Sequence, residues 1–193
     1  MPWEKNYDET EVLERATYAF WARGYEATSM NNLVEATGIN RGSIYAAYTN
    51  KHNLFIQALR HYDKVYRADY LEYVARQYAP REAIIVVFED AAKNTGGEDT
   101  PGGCLLVNTM LEMSPHDREV RDFVNNCLQG VEDFFFSRIE AGKKAETVST
   151  SESSRNTARA LLGLFLGQRV LARSNADRFV ADAVTRQARM MLG

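Results

Sequence analysis

The sequence predicts an all-α protein of about nine helices, with a three-helix helix-turn-helix domain first and a larger helical domain after it. Three observations lead there. Apolar residues recur at helical spacing in nearly every segment, from Val12, Leu13, Ala16, Ala19 and Phe20 to Phe179, Val180, Ala183 and Val184. The breaks between segments hold residues that end or start helices: Gly24, Gly38, Asn40, Ala79-Pro80 and Ser114-Pro115. Finally, two short helical patterns flank Thr37-Gly38-Ile39-Asn40, the tight glycine turn of a helix-turn-helix.

In chain order, the first seven residues read as a short arm, and a helix begins near Asp8 and ends at Gly24. Tyr25 is expected to join a small core with Phe20, Leu33 and Ile44. Ser29 can cap the second helix, because its hydroxyl accepts from an N–H that the first turn leaves unpaired. Thr28 and Ser29 together also put hydroxyls at a helix N-terminus, where they suit a phosphate, and one residue can serve both roles. Gly38 suits the left-handed conformation that ends a helix, and Asn40 caps the third.

That third helix carries the chemistry. If Ile44 and Tyr48 face inward, Arg41, Gly42, Ser43 and Tyr45 face out. A permanent cation, two hydroxyls and a glycine that admits a close backbone match phosphate oxygens and base edges in a major groove. Lys51 follows on the same side, and Ala46 offers only a methyl contact. The net charge of −3 does not weigh against DNA. Between Ala36 and Asp63 the chain has Arg41, Lys51 and Arg60 and no acid, and charges act within about 8–10 Å.

On these residues the stretch Val12 to Leu59 resembles the DNA-binding domain of the TetR/AcrR family of bacterial transcriptional regulators. The resemblance rests on Ala19-Phe20-Trp21, Arg23 to Met30, Gly38 to Tyr45 and Asn50-Lys51. It implies a homodimeric, ligand-responsive transcription factor that reads double-stranded operator DNA, most often a repressor released by a small-molecule inducer. The DNA-contacting set would be Thr28, Ser29, Asn40, Arg41, Gly42, Ser43, Tyr45, Ala46, Tyr48 and Lys51. Residues 1–50 would form the reading head and residues 51–193 the ligand-binding and dimerisation domain.

Asn50 to Tyr78 reads as one long helix linking the two domains, stopped by Pro80, since proline disfavours helix at the residue before it. Ile84 to Phe88 is apolar nearly all round and so deeply buried. Gly96 to Gly103, with four glycines and a proline, is a loop without the lysine of a phosphate-binding loop. A short apolar helix follows from Cys104 to Met113. Ser114-Pro115-His116-Asp117 looks like a cap, an N1 proline and an acid at the start of the next helix, which runs to Gly142.

Two last helices, about Glu152 to Arg173 and Asn175 to Leu192, are those that the family pairs with their copies in a four-helix bundle. Leu162, Gly163, Leu166, Gly167, Val170, Val180 and Val184 are the expected seam. The two glycines, one turn apart, fit a close approach to a neighbouring helix, in the same subunit or another.

Tyr62, Tyr66, Phe123 and Cys127 are core candidates that can also line a ligand pocket. Cys104 opens a helix, where the dipole favours a thiolate, and Gly103-Cys104-Leu105-Leu106 resembles a segment of relatives that sense electrophiles. Its apolar neighbours favour plain packing instead.

No catalytic constellation is visible: His52, His61 and His116 are scattered, and Cys104 and Cys127 lack zinc spacing. No cofactor, metal or enzymatic activity is expected. No apolar run approaches the roughly 20 residues of a membrane span, and a cytoplasmic location follows. The rival reading is an enzyme or protein-interaction module that keeps the fold without DNA binding, favoured by the small side chains of Ala46-Ala47.

Overall fold

The computed structural model describes residues 7–93, 101–113, 115–174 and 178–193. Asp8 opens α1 (Glu9–Arg23) by accepting from the Thr10 N–H at 2.7 Å. Gly24 closes that helix at φ +86°. Ser29 caps α2 (Met30–Thr37) in a reciprocal box with Asn32, and Gly38 ends it in the left-handed region at φ +73°. Asn40 caps α3 (Arg41–Tyr48), accepting from the Ser43 N–H at 2.9 Å.

The linking helix is continuous, as its periodicity predicts, but it is not uniform. It runs as α4 (Lys51–Tyr62), a π-helical segment (Asp63–Ala68) and α5 (Asp69–Gln77). No proline or glycine marks the widened turns. Tyr62 and Tyr66 stack there at 5.1 Å between ring centroids, and both present edges to Trp21 of α1. Within the segment Arg67 chelates Asp63, its Nη2 lying 2.9 Å from Oδ2. Such segments often sit at functional positions.

The remaining helices are α6 (Pro80–Lys93), α7 (Leu105–Glu112), α8 (Arg118–Lys144), α9 (Ser154–Arg173) and α10 (Arg178–Met191). Counting the linking helix once, the described residues form nine helices and no strand. The expected loop lies largely outside the described residues; Gly103, its last residue, has φ +81° and packs closely on the Arg173 side chain.

Apolar packing divides into two cores. Phe20, Leu33, Ile44, Leu54 and Phe55 anchor the first, which also takes Leu105 and Leu106 of α7 and Val120 and Val124 of α8. Ile84, Phe88, Phe135, Ile139 and Leu161 anchor the second, where the Phe88 and Phe135 rings stack at 5.8 Å. The first core thus continues past residue 51, and α7 and the start of α8 pack on the reading head.

The start of α8 differs from the sequence expectation. Ser114 lies outside the described residues, and the N-cap is Asp117, whose carboxylate accepts from the Val120 N–H at 3.0 Å. The other carboxylate oxygen lies 2.6 Å from His52 Nε2 on α4. Both Ser114 and Asp117 are capping types; the tertiary contact with His52 selects the second. Burial opposes ionisation of Asp117, but the Val120 amide and His52 outweigh it and hold its pKa below 3.8. The stabilisation is therefore complete above the ordinary aspartate pKa and is lost as pH falls through the depressed value. Asp117→Ala should cost about 1 kcal/mol in urea unfolding at neutral pH. It should cost less at pH ~2, where the carboxylate is protonated.

Candidate nucleic-acid interface

The turn between α2 and α3 is set by local chemistry, and its result is an exposed, rigidly presented helix face. Ile44 is fully buried and fixes the roll of α3 on the first core. Asn40, Arg41, Gly42, Tyr45 and Ala46 are exposed, and Ser43 is half-buried. Tyr48 is half-buried and packed on the core, so it helps anchor the helix. A Cβ at Gly42 would lie 3.2 Å from the Asn40 cap oxygen, so a larger residue crowds the cap as well as the outer surface.

Arg41 does not wave freely. Its Nη2 donates to Asn31 Oδ1 of α2 at 3.2 Å, which holds the guanidinium over the turn. Lys51, the first residue of α4, places Nζ 4.2 Å from the centre of the Tyr25 ring. That cation–π contact pre-sets the ammonium without neutralising it. Ser29 is exposed, its hydroxyl turned back onto Asn32.

Thr28 is a correction. It is fully buried, and its hydroxyl donates to the Gly24 carbonyl at 2.6 Å. The hydroxyl serves the turn after α1, one helical turn back, and does not face a phosphate.

An open groove of about 1090 Å³ runs beside the turn, lined in part by Asp8, Glu11, Gly38, Asn40 and Ala46. Arg15 lines it too and pairs with Glu11 across one helical turn.

Tyr62 is buried, its hydroxyl partnered by the Cys104 thiol and the Leu105 N–H. Burial first, and then Cys104, pushes its pKa well above 10.0. Cys104 is half-buried at the N-cap of α7, with no side-chain cap bond. Arg169 of α9, itself buried, donates to the carbonyl of Gly103, the residue just before Cys104. Cys127 is buried against Asp63 and Arg67, and burial raises its thiol pKa. Tyr66 is exposed and donates to Glu14, and burial followed by Glu14 pushes its pKa up to about 12. Phe123 is half-buried on the first core. Tyr62 therefore meets both Cys104 and Tyr66, whose ring stacks on its own, while Phe123 takes another setting.

On α9, Gly163 and Gly167 are exposed, and a Cβ built on either finds no atom within 4 Å. Val170 is 41% exposed and Val180 of α10 is 40% exposed, with Leu162, Leu166 and Val184 half-buried beside them. Sequence reasoning missed Asn31 and Arg169, whose roles come from contacts between helices and leave no local signal.

No three of the described His, Cys, Asp and Glu residues gather as a metal site, and no described helix is long and apolar enough to cross a membrane.

Comparison with known proteins agrees with this geometry. Residues 12–58 match the family described as bacterial regulatory proteins, tetR family, and residues 80–188 match the tetracyclin repressor-like C-terminal domain. An uncharacterised HTH-type transcriptional regulator of Bacillus subtilis, YezE, is 27% identical over 92% of this chain and 90% of its own. The HTH-type transcriptional repressor ComR of Escherichia coli is 33% identical over 60% of this chain and 56% of its own. Among solved structures, a cysteine mutant of the TetR family regulator CifR, in complex with 26-base-pair operator DNA, superposes with a TM-score of 0.86. It is 26% identical, and the match covers 98% of this chain and 100% of that one. With both its domains matched and its α3 face exposed beside a pinned arginine, this chain belongs to the TetR family of bacterial transcriptional regulators.

Proposed function

We propose that the chain acts as a homodimeric, cytoplasmic repressor that loses its hold on operator DNA when a small molecule binds the helical domain. The observation that supports it most is the exposed α3 face, with Arg41 tied to Asn31 and Tyr45 standing clear. The repressor names of relatives such as ComR and the operator complex of CifR favour the same sign and partner. Two heads would read half-sites about 34–36 Å apart, or a multiple of that, in successive major grooves. A ligand that favours a different head spacing shifts the population away from the bound form. Arg41 and Tyr45 would specify bases; Ser29, Ser43 and Lys51 would hold phosphates. Leu162, Gly163, Leu166, Gly167, Val170, Val180 and Val184 would form the seam between subunits.

Sedimentation of the full chain at micromolar concentration tests the assembly, with and without an operator duplex. A dimer that binds one duplex agrees; a monomer in both conditions contradicts it.

The sensing end centres on Tyr62 and Cys104. Cys104 is only half-buried at the N-cap of α7, whereas Cys127 is buried, and burial followed by Asp63 raises its thiol pKa. Sub-stoichiometric N-ethylmaleimide should therefore label Cys104 in preference to Cys127, as read by mass spectrometry. Labelling that weakens operator binding, and that Cys104→Ser abolishes, supports sensing at this thiol. An unreactive thiol in the native protein assigns Cys104 to packing.

A further inference from the structure

Two charged side chains from the second domain grip the reading head at a single point. Glu112, the last residue of α7, accepts from the Tyr25 N–H at 3.0 Å and the Glu26 N–H at 2.8 Å, one through each carboxylate oxygen. Arg173, the last residue of α9, donates to the carbonyls of Trp21 at 2.9 Å and Ala22 at 2.8 Å. The carbonyls at the end of a helix lack intrahelical donors and carry partial negative charge, so a cation suits them. The amides of the turn beyond suit an anion. Each charge therefore sits on the backbone groups that match it, in charge-assisted bonds.

Gly24 lies between the two grips. It adopts φ +86°, and a Cβ there would come within 2.8 Å of Glu112 Oε2, so only glycine lets the carboxylate so close. One turn before Arg173, Arg169 donates to the carbonyl of Gly103, just ahead of the Cys104 cap of α7. The rod α7 is thus tied to α9 at its start and to the head at its end, and α9 is tied to the head directly.

We infer that Glu112 and Arg173 are positioning residues for DNA reading. They fix the angle at which the head leaves the second domain and, because α9 also carries the proposed subunit seam, the separation of two heads. Neither is assigned a contact with DNA. This rests on the dimeric, DNA-reading function proposed above.

The test compares wild-type protein with Glu112→Ala/Arg173→Ala and with Glu112→Gln, which keeps one acceptor oxygen. Duplexes come from selection on random DNA with the wild-type protein. Each variant is titrated against a single half-site, the selected duplex, and the same duplex with half a helical turn inserted between half-sites.

For the double variant, single half-site affinity should stay at the wild-type value, while the selected duplex loses roughly ten- to a hundredfold as simultaneous engagement is lost. Its preference for the selected spacing should flatten, and Glu112→Gln should fall between. Hydrogen exchange should quicken at the Tyr25 and Glu26 amides and stay slow at Leu33 and Leu59, which reports release of the head without unfolding. A double variant that keeps the wild-type spacing preference overturns the inference. So does one that loses single half-site binding while its circular dichroism is intact, because the contacts would then act on the head itself. A wild-type chain that selects no duplex overturns the DNA-reading function, which is a different result.

Discussion

Gly163→Leu is expected to turn the protein into a folded monomer that no longer holds a two-half-site operator. The sequence leaves two readings for Gly163 and Gly167: packing within one subunit or between two. In the structure a Cβ at either position meets no atom of the described chain within 4 Å, and both are exposed on α9. The first carbon of a side chain therefore has open space around it, and leaving glycine should favour the helix by about 1 kcal/mol. A second copy packed on this face would instead be pushed away. Loss of the second head removes an avidity gain of roughly 10²–10⁴ on operator DNA. Sedimentation together with circular dichroism checks it. A variant that remains dimeric with unchanged operator affinity places the seam elsewhere.

Arg41→Ala should weaken specific operator binding by about 1–3 kcal/mol, the range of one bidentate base contact. Its guanidinium is already oriented by Asn31, so Asn31→Ala should lose part of that affinity although the charge is kept. Lys51→Ala should behave differently. Its ammonium is held over the Tyr25 ring, and if it contacts phosphate, as proposed, every sequence should weaken alike. The slope of log affinity against log salt should also fall by about one. Ala46 offers only a methyl, which suits thymine contact or shape readout. If Arg41→Ala and Tyr45→Phe both leave operator binding unchanged, α3 is not the reading helix.

The parts that sequence made legible are those decided within a turn or two of chain. Ser29, Gly38 and Asn40 each act on backbone groups no more than four residues away, and the structure has them capping α2 and α3. The buried run Ile84 to Phe88 is likewise a matter of local hydrophobicity. Where two residues compete for one role, distant contacts decide. Asp117 caps α8 in company with His52, and Thr28 spends its hydroxyl on Gly24 inside the fold. The π-helical turns of the linking helix have no proline or glycine to announce them, and they coincide with the stacking of Tyr62 and Tyr66 against Trp21. Glu112 and Arg173 look like ordinary charges at helix ends until the head's backbone is placed beside them.

The central claim is sequence-specific DNA reading by a dimer, and a fluorescence-polarisation titration against the DNA flanking the protein's own gene tests it most directly. It should be run at several salt concentrations, with a scrambled duplex of equal length alongside. The account predicts saturable binding at two chains per duplex, a roughly 10³-fold or greater preference over the scrambled DNA, and a linear fall of log affinity with log salt. Equal affinity for both duplexes at every salt concentration, or no binding to either, would contradict it.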